Sequence, residues 1–318
     1  MSGMVGHEAA WREWRSAIGG GRKHHAWLLT GKRGLGKASF AHDAARELVA
    51  KKGAPSTGPH PDILTLQREP DDKEAVKRDA GKSFTVRRNI TVDQVRALQR
   101  KLTTRPTLGP WRAIVIDSAD EMEKGAANAL LKSLEEPPQG SLFLLVSHQP
   151  ARLLPTIRSR CRTIRFAPLD EAAMVRVLMD RSPDADADAR HAAIAATAGS
   201  PGAALEFLGR GLAPVHNVIQ SILSSSGECD ASSGRLLDVA GTRPDRERIS
   251  AILALARGST ARAALSKDGS SNPAMIEAHS RLVELEREAP TYNFDPGLLL
   301  AQVGAILAAS SKDARAGA

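Results

Sequence analysis

The sequence has almost no cysteine. Cys161 and Cys229 are the only two in 318 residues, too few for a disulfide framework and too few by themselves for a structural zinc site. Aromatic residues are also scarce, at 3% of the chain with one tyrosine, so Leu, Val, Ile and Ala must fill the cores, a bias that favours helices. No apolar run approaches the roughly 18 residues of a membrane span. The first residues, MSGMVGHEAAWREW, lack the apolar core of a secretory signal. A soluble, cytoplasmic protein with no membrane partner is expected. No internal repeat is visible.

The residues that are present are ordinary for a globular protein, with 42% hydrophobic and 25% charged, and the length suggests two or three domains. The net charge of +8 is uneven: residues 1–169 carry 29 Lys/Arg against 17 Asp/Glu, and residues 170–318 carry 15 against 19. A basic first half suits contact with nucleotide or nucleic acid. It equally suits an arginine-rich surface that keeps an alanine-rich protein in solution.

Up to residue 168 strands alternate with helices. An amphipathic helix from His7 to Ile18 places Trp11, Trp14 and Ile18 at helical spacing and ends at the glycines from Gly19. The short apolar run Ala26 to Leu29 then meets Gly31-Lys32-Arg33-Gly34-Leu35-Gly36-Lys37-Ala38 and a helical pattern to about Val49. Residues 51–61 read as a loop, Asp62 to Leu66 as a strand, and 68–88 as a charged excursion that is an exposed loop, a weak hairpin or disordered. Thr91 and Gln94 form a capping box for a helix to about Leu102. Strands follow at Trp111 to Asp117, Leu142 to Ser147 and Thr163 to Phe166, with a helix from Lys124 to Glu136 stopped by Pro137-Pro138 and a short one near Pro155. This alternation indicates a parallel sheet. Beyond Pro168 the patterns are helical: Asp170, Ala187 and Ser200-Pro201 each open a helix, and further helical stretches run to about residue 310.

Three groups of residues carry chemistry. The glycine-rich turn between strand and helix is a near P-loop: Gly31, Gly34 and Gly36 let backbone N–H groups wrap a triphosphate, and Lys37 reaches its β/γ-phosphates. The last position, which needs a hydroxyl for magnesium, is Ala38; the nearest hydroxyl, Ser39, sits one residue late. The glycine order also differs from a dinucleotide fingerprint. Asp117, at the end of an apolar strand, reads either as a magnesium ligand or as a strand-end cap, and it is followed by Ser118 where a hydrolase places a water-orienting glutamate. The basic run Ile157 to Arg162 either satisfies a helix dipole or holds an arginine toward a phosphate.

The string Asn128 to Pro138 (NALLKSLEEPP), followed by Ser159-Arg160-Cys161, resembles bacterial clamp-loader subunits of the AAA+ class. His24-His25-Ala26-Trp27, His60-Pro61-Asp62 and Gly199-Ser200-Pro201-Gly202 are also in register. The resemblance covers about residues 7–208. It implies an α/β AAA+ P-loop domain with a parallel sheet over 1–168, a small helical lid over 169–210, an all-α collar over 211–310 and a tail over 311–318. Ala38, Ser118 and Gly202 replace residues that serve hydrolysis, so the chain is similar to delta-prime subunits of DNA polymerase III rather than to the gamma/tau motor. By that resemblance Arg160 is an arginine finger acting in trans. The resemblance also implies gamma/tau and delta subunits as partners in a hetero-pentamer, with the sliding clamp and primer-template DNA reached through the complex. Cys161 is read as a packed residue. The family also has a four-cysteine zinc module before Asp62; residues 48–61 hold no cysteine, so no zinc is expected. No cofactor is required on this reading, while ATP with magnesium stays open, as do an active motor using Ser39 and a stand-alone DNA-binding protein.

Overall fold

The computed structural model describes residues 6–20, 24–50, 60–70, 86–224, 229–241, 244–265, 271–289 and 295–316. The expected loop before His60 and the middle of the 68–88 excursion lie outside them. The chain divides into two compact units, Met1–Leu169 and Asp170–Ala318.

The first unit is built on five strands: β1 Ala26–Thr30, β2 Ile63–Gln67, β3 Arg112–Asp117, β4 Ser141–Ser147 and β5 Arg162–Arg165. They pair in the order β2-β3-β4-β1-β5, and every pairing is parallel. Helix α1 Glu8–Gly19 precedes them, and between them run α2 Lys37–Val49, α3 Val92–Leu102, α4 Lys124–Glu135 and the one-turn α5 Pro155–Arg158. Because side chains alternate across a strand, β1 sends Ala26 and Leu28 to one face and Trp27 and Leu29 to the other. The first face packs with Ile114, Ile116, Phe143 and Leu145 against α3, α4 and α5. The second packs against α1 and α2, where Ala41, Ala44 and Ala45 let α2 lie close to the sheet. With both faces covered, the central strands read as unbroken apolar runs, as the sequence predicted.

Trp11, Trp14, Trp27, Phe40 and Phe166 gather on the α1/α2 face. Trp11 meets Phe40 at 4.4 Å between ring centroids, Trp14 meets Trp27 at 5.5 Å, and Phe40 meets Phe166 at 5.2 Å. This packing ties α1 to the strand and helix that flank the glycine-rich turn. On the other face the capping box of α3 is formed, with Gln94 N–H donating to Thr91 Oγ1 and Thr91 N–H donating to Gln94 Oε1. The ends of the charged excursion are pinned together, Pro70 bridging Val86 antiparallel and Arg87 N–H donating to the Glu69 carbonyl.

Asp62 and Arg112 hold the far end of the sheet. Asp62 is fully buried and accepts from the Thr107 and Leu108 amides. Arg112 donates to the carbonyls of Lys101, Thr104 and Arg105, satisfying acceptors that the end of α3 leaves open. The two side chains are 3.7 Å apart. Burial alone would raise the Asp62 carboxyl; the two amides, Arg112 and His60 outweigh it and hold its pKa below the usual value.

Among the described residues the second unit is built on helices: α6 Glu171–Arg181, α7 Ala187–Thr197, α8 Pro201–Gly209, α9 Ala213–Ser224, α10 Cys229–Ala240, α11 Arg246–Ala263, α12 Pro273–Glu288 and α13 Pro296–Ala316. Asp170, Asp186 and Ser200 cap the first three through their side chains. Arg262 donates to the Ala196 carbonyl and Arg248 to the Arg210 carbonyl, so α11 is stitched to the helices before residue 210. A polar tail was expected from residue 311; instead α13 continues to Ala316. The serines there do not break it, because Ser310 Oγ donates to the Leu307 carbonyl and Ser311 Oγ to the Leu223 carbonyl.

Removing one partner of the Asp62–Arg112 pair leaves a buried charge uncompensated. Asp62→Ala should therefore cost about 3–5 kcal/mol, read as a lower urea midpoint. The carboxyl's lowered pKa adds stability that is present above its unfolded value of about 3.9 and is lost as pH falls toward the lower folded value. The gap between wild type and variant should therefore narrow in acid.

Candidate functional site

β1 is buried along its whole length and ends at the glycine-rich turn. Gly31 has φ +147°, and a Cβ there would come within 2.5 Å of the Phe166 carbonyl oxygen, so no larger residue fits. Gly34 and Gly36 both have φ +81°, a backbone conformation glycine adopts without steric cost. Gly36 is the N-cap of α2, whose first-turn N–H groups have no acceptor within the helix and are suited to an anion. From the α1 side, His7 Nε2 lies 2.7 Å from the Leu35 carbonyl and pins the turn.

Lys37 is buried, and its Nζ donates to the carbonyls of Gly31 at 2.7 Å and Lys32 at 2.6 Å. Burial pulls its pKa down to about 8, against the opposing effect of the Asp120 and Asp117 carboxylates. To reach a phosphate, the ammonium must exchange those two carbonyls for phosphate oxygens. Asp117 ends β3, paired with Gln67 of β2 and Val146 of β4, and accepts from Ser118 Oγ at 3.3 Å.

Sequence reasoning singled out neither Asp120 nor His148. Asp120 stands on a 3-10 turn, Ala119–Glu121, and its Oδ1 accepts from the His148 amide at 2.9 Å. His148 follows the end of β4. Its imidazole pKa is lowered first by burial and then by Lys37; that of His42 on α2 is lowered mainly by burial. The signal was available: in a parallel sheet the carboxyl ends of neighbouring strands converge, so the residues after β3 and β4 belong beside the turn after β1.

Of the residues expected at a nucleotide, Gly31, Gly34, Gly36, Lys37 and Asp117 come together. Ser39 is exposed and turned about 100° around the helix from Ala38. Glu121 pairs with Arg68 at 2.8 Å. Among the described residues no group of three or more His, Cys, Asp or Glu could hold a metal ion. This side-chain set fits a phosphate but does not supply the hydroxyl that fixes magnesium on a P-loop.

The second predicted feature, the arginine turn, follows α5. Ser159 Oγ donates to the Thr156 carbonyl at 3.1 Å and closes it. Cys161 packs against the α3/α4 core, and burial pushes its thiol up to about 12, which makes it inert. Arg162 pairs with Glu13 at 3.2 Å and lies over the Trp27 ring, while Arg158 is exposed. Arg162 pairs in register with Trp27, and Arg165 with Thr30. The glycine turn therefore lies about 13 Å along the strands from Arg162, and Arg160 lies two residues further back. Arg160 and Lys37 stand at opposite ends of one parallel sheet.

Residues 6–170 match the family described as DNA polymerase III, delta subunit. The chain belongs to this family. It is 36% identical over 212 residues to the DNA polymerase III subunit delta' of Pseudomonas aeruginosa, covering 62% of this chain and 60% of that one. It is 36% identical over 198 residues to the Escherichia coli subunit delta', covering 58% and 54%. The gamma/tau subunit of Mycobacterium tuberculosis H37Rv is 32% identical over 182 residues, covering 56% and 30%. The chain thus spans about three fifths or less of the length of these relatives. Membership in the delta family agrees with the resemblance carried by residues 128–138 and 159–161.

In this family member Lys37 should titrate near pH 8, well below the 10.4 or so of a free lysine. The charged form attracts phosphate, so affinity of the turn for inorganic pyrophosphate should fall as pH rises past that point. A site-resolved NMR titration of the lysine Cε reads the midpoint; a value above about 10 contradicts the burial argument.

Proposed function

We propose that this chain is a delta-prime-like subunit of the DNA polymerase III clamp loader, a stator that does not hydrolyse ATP itself and supplies Arg160 to the ATP site of a neighbouring gamma/tau subunit. The observation that carries this reading is the placement of Arg160 at the end of the sheet away from its own glycine turn. An arginine fork stabilises charge on a transferring phosphoryl group only when it touches it, and here that group must belong to another subunit.

Three features support the stator role. Ala38 offers no oxygen to magnesium, Ser118 offers no carboxylate to orient a water, and Gly202 stands where motor subunits carry a phosphate-sensing arginine. Within the chain, Arg160 supports transition-state charge and Ser159 shapes the turn that presents it. Asn128 to Pro138 packs behind that turn through α4, and Lys37 with the α2 amides retains the means to hold a phosphate without the means to cleave one. Residues 169–210 are read as the lid and 211–310 as the collar that joins the subunits. Gamma/tau and delta are the direct partners, with the clamp and primer-template DNA engaged by the whole assembly in the cytoplasm.

Arg160→Ala tests the reading. The variant should fold and assemble as wild type, while ATP turnover at the site it completes falls by about 10³–10⁵, the range known for such fingers, and clamp loading by the reconstituted complex falls with it. Unchanged loading would remove Arg160 from the mechanism. Magnesium-dependent turnover by the isolated chain would sink the stator role.

A further inference from the structure

Helix α4 ends against its own dipole. Glu135 is its last residue and Glu136 its C-cap, at the end where backbone carbonyls are partly negative and a cation is favoured. Two consecutive acids there are locally costly, and Lys132 is the single basic residue of that turn. Glu135 finds a cation from another element: its Oε1 lies 2.8 Å from Arg160 Nη2. The second terminal nitrogen, Nη1, donates to the Thr156 carbonyl at 3.0 Å. The two terminal nitrogens that would take a phosphate end-on are thus both turned onto acceptors of their own chain.

The strength of this contact suits a latch better than a strut. The side chains are 35% and 48% exposed, and an exposed ion pair biases its partners by about fivefold at most. That selects one arrangement of a long, mobile arginine while adding little to folding. A triphosphate carries more charge than one carboxylate and accepts the same fork, so it can displace Glu135.

We propose that Glu135 is a positioning residue for Arg160: it stows the guanidinium against α4 until a phosphate of the neighbouring subunit takes over the same donors. This rests on the reading of Arg160 as a finger acting in trans. The local conflict in α4 is then the sequence feature that marks the latch, and Glu135 sets how much nucleotide the neighbour must bind before the finger engages.

Two measurements test it. In the isolated full chain, phenylglyoxal labelling followed by peptide mass spectrometry reads how free each arginine is. Glu135→Gln should raise the rate at Arg160 by up to about fivefold and leave the exposed Arg158 unchanged; an unchanged rate at Arg160 overturns the stowing contact. In the reconstituted complex, Glu135→Gln should lower the ATP concentration giving half-maximal turnover severalfold and leave the maximal rate as it was. A fall in the maximal rate, or no shift in that concentration, overturns the latch. If labelling responds to Glu135→Gln while Arg160→Ala has no effect in the complex, the contact is real and the trans-finger reading is what fails.

Discussion

Parallel pairing of β1 with β4 and β5 gives the sheet two chemically distinct ends, and most of what this chain does follows from that. Strands running the same way send all their carboxyl ends to one edge, where the glycine turn, Asp117, Asp120 and His148 gather. The residues that lead into the strands gather at the other edge, where the turn at Ser159 to Cys161 enters β5. One sheet therefore carries the glycine turn at one end and Arg160 at the other, too far apart for the two to meet.

The two ends are braced differently. The glycine turn is held from beneath by Trp11, Phe40 and Phe166 and by His7 on the Leu35 carbonyl, and Gly31 lies so close to Phe166 that no larger residue fits. Its lysine is buried and bonded to the turn itself. On the arginine turn the side-chain contacts are the Ser159 hydroxyl bond, the Arg160 bond to the Thr156 carbonyl and one exposed ion pair. The preserved part is the scaffold, and the adjustable part is the side chain assigned to act on a partner.

Much of this was legible in the sequence, for physical reasons. Strands covered on both faces leave unbroken apolar runs, so β1, β3 and β4 could be read directly; β5 was harder, because a strand at the edge of the sheet buries only Ile164. The glycines announced a turn with unusual backbone angles, and the hydroxyl missing at residue 38 was visible at once. Asp120 and His148 were not, since they meet only when β3 and β4 lie side by side. The buried Asp62–Arg112 pair was likewise invisible, being assembled from residues fifty apart. The last helix was underestimated because Ser310 and Ser311 read as polar, whereas their hydroxyls are absorbed by backbone carbonyls.

The central claim is that this chain's chemistry is exercised on a neighbour and not on its own nucleotide turn. Replacing Lys37 with Ala in the otherwise intact reconstituted complex, and counting ATP hydrolysed per clamp loaded, asks this directly. The account predicts that the count and the loading rate stay at wild-type values, because no phosphoryl transfer passes through this turn. A loss of turnover matching the inactivation of a motor subunit would contradict it and make the chain an ATPase in its own right.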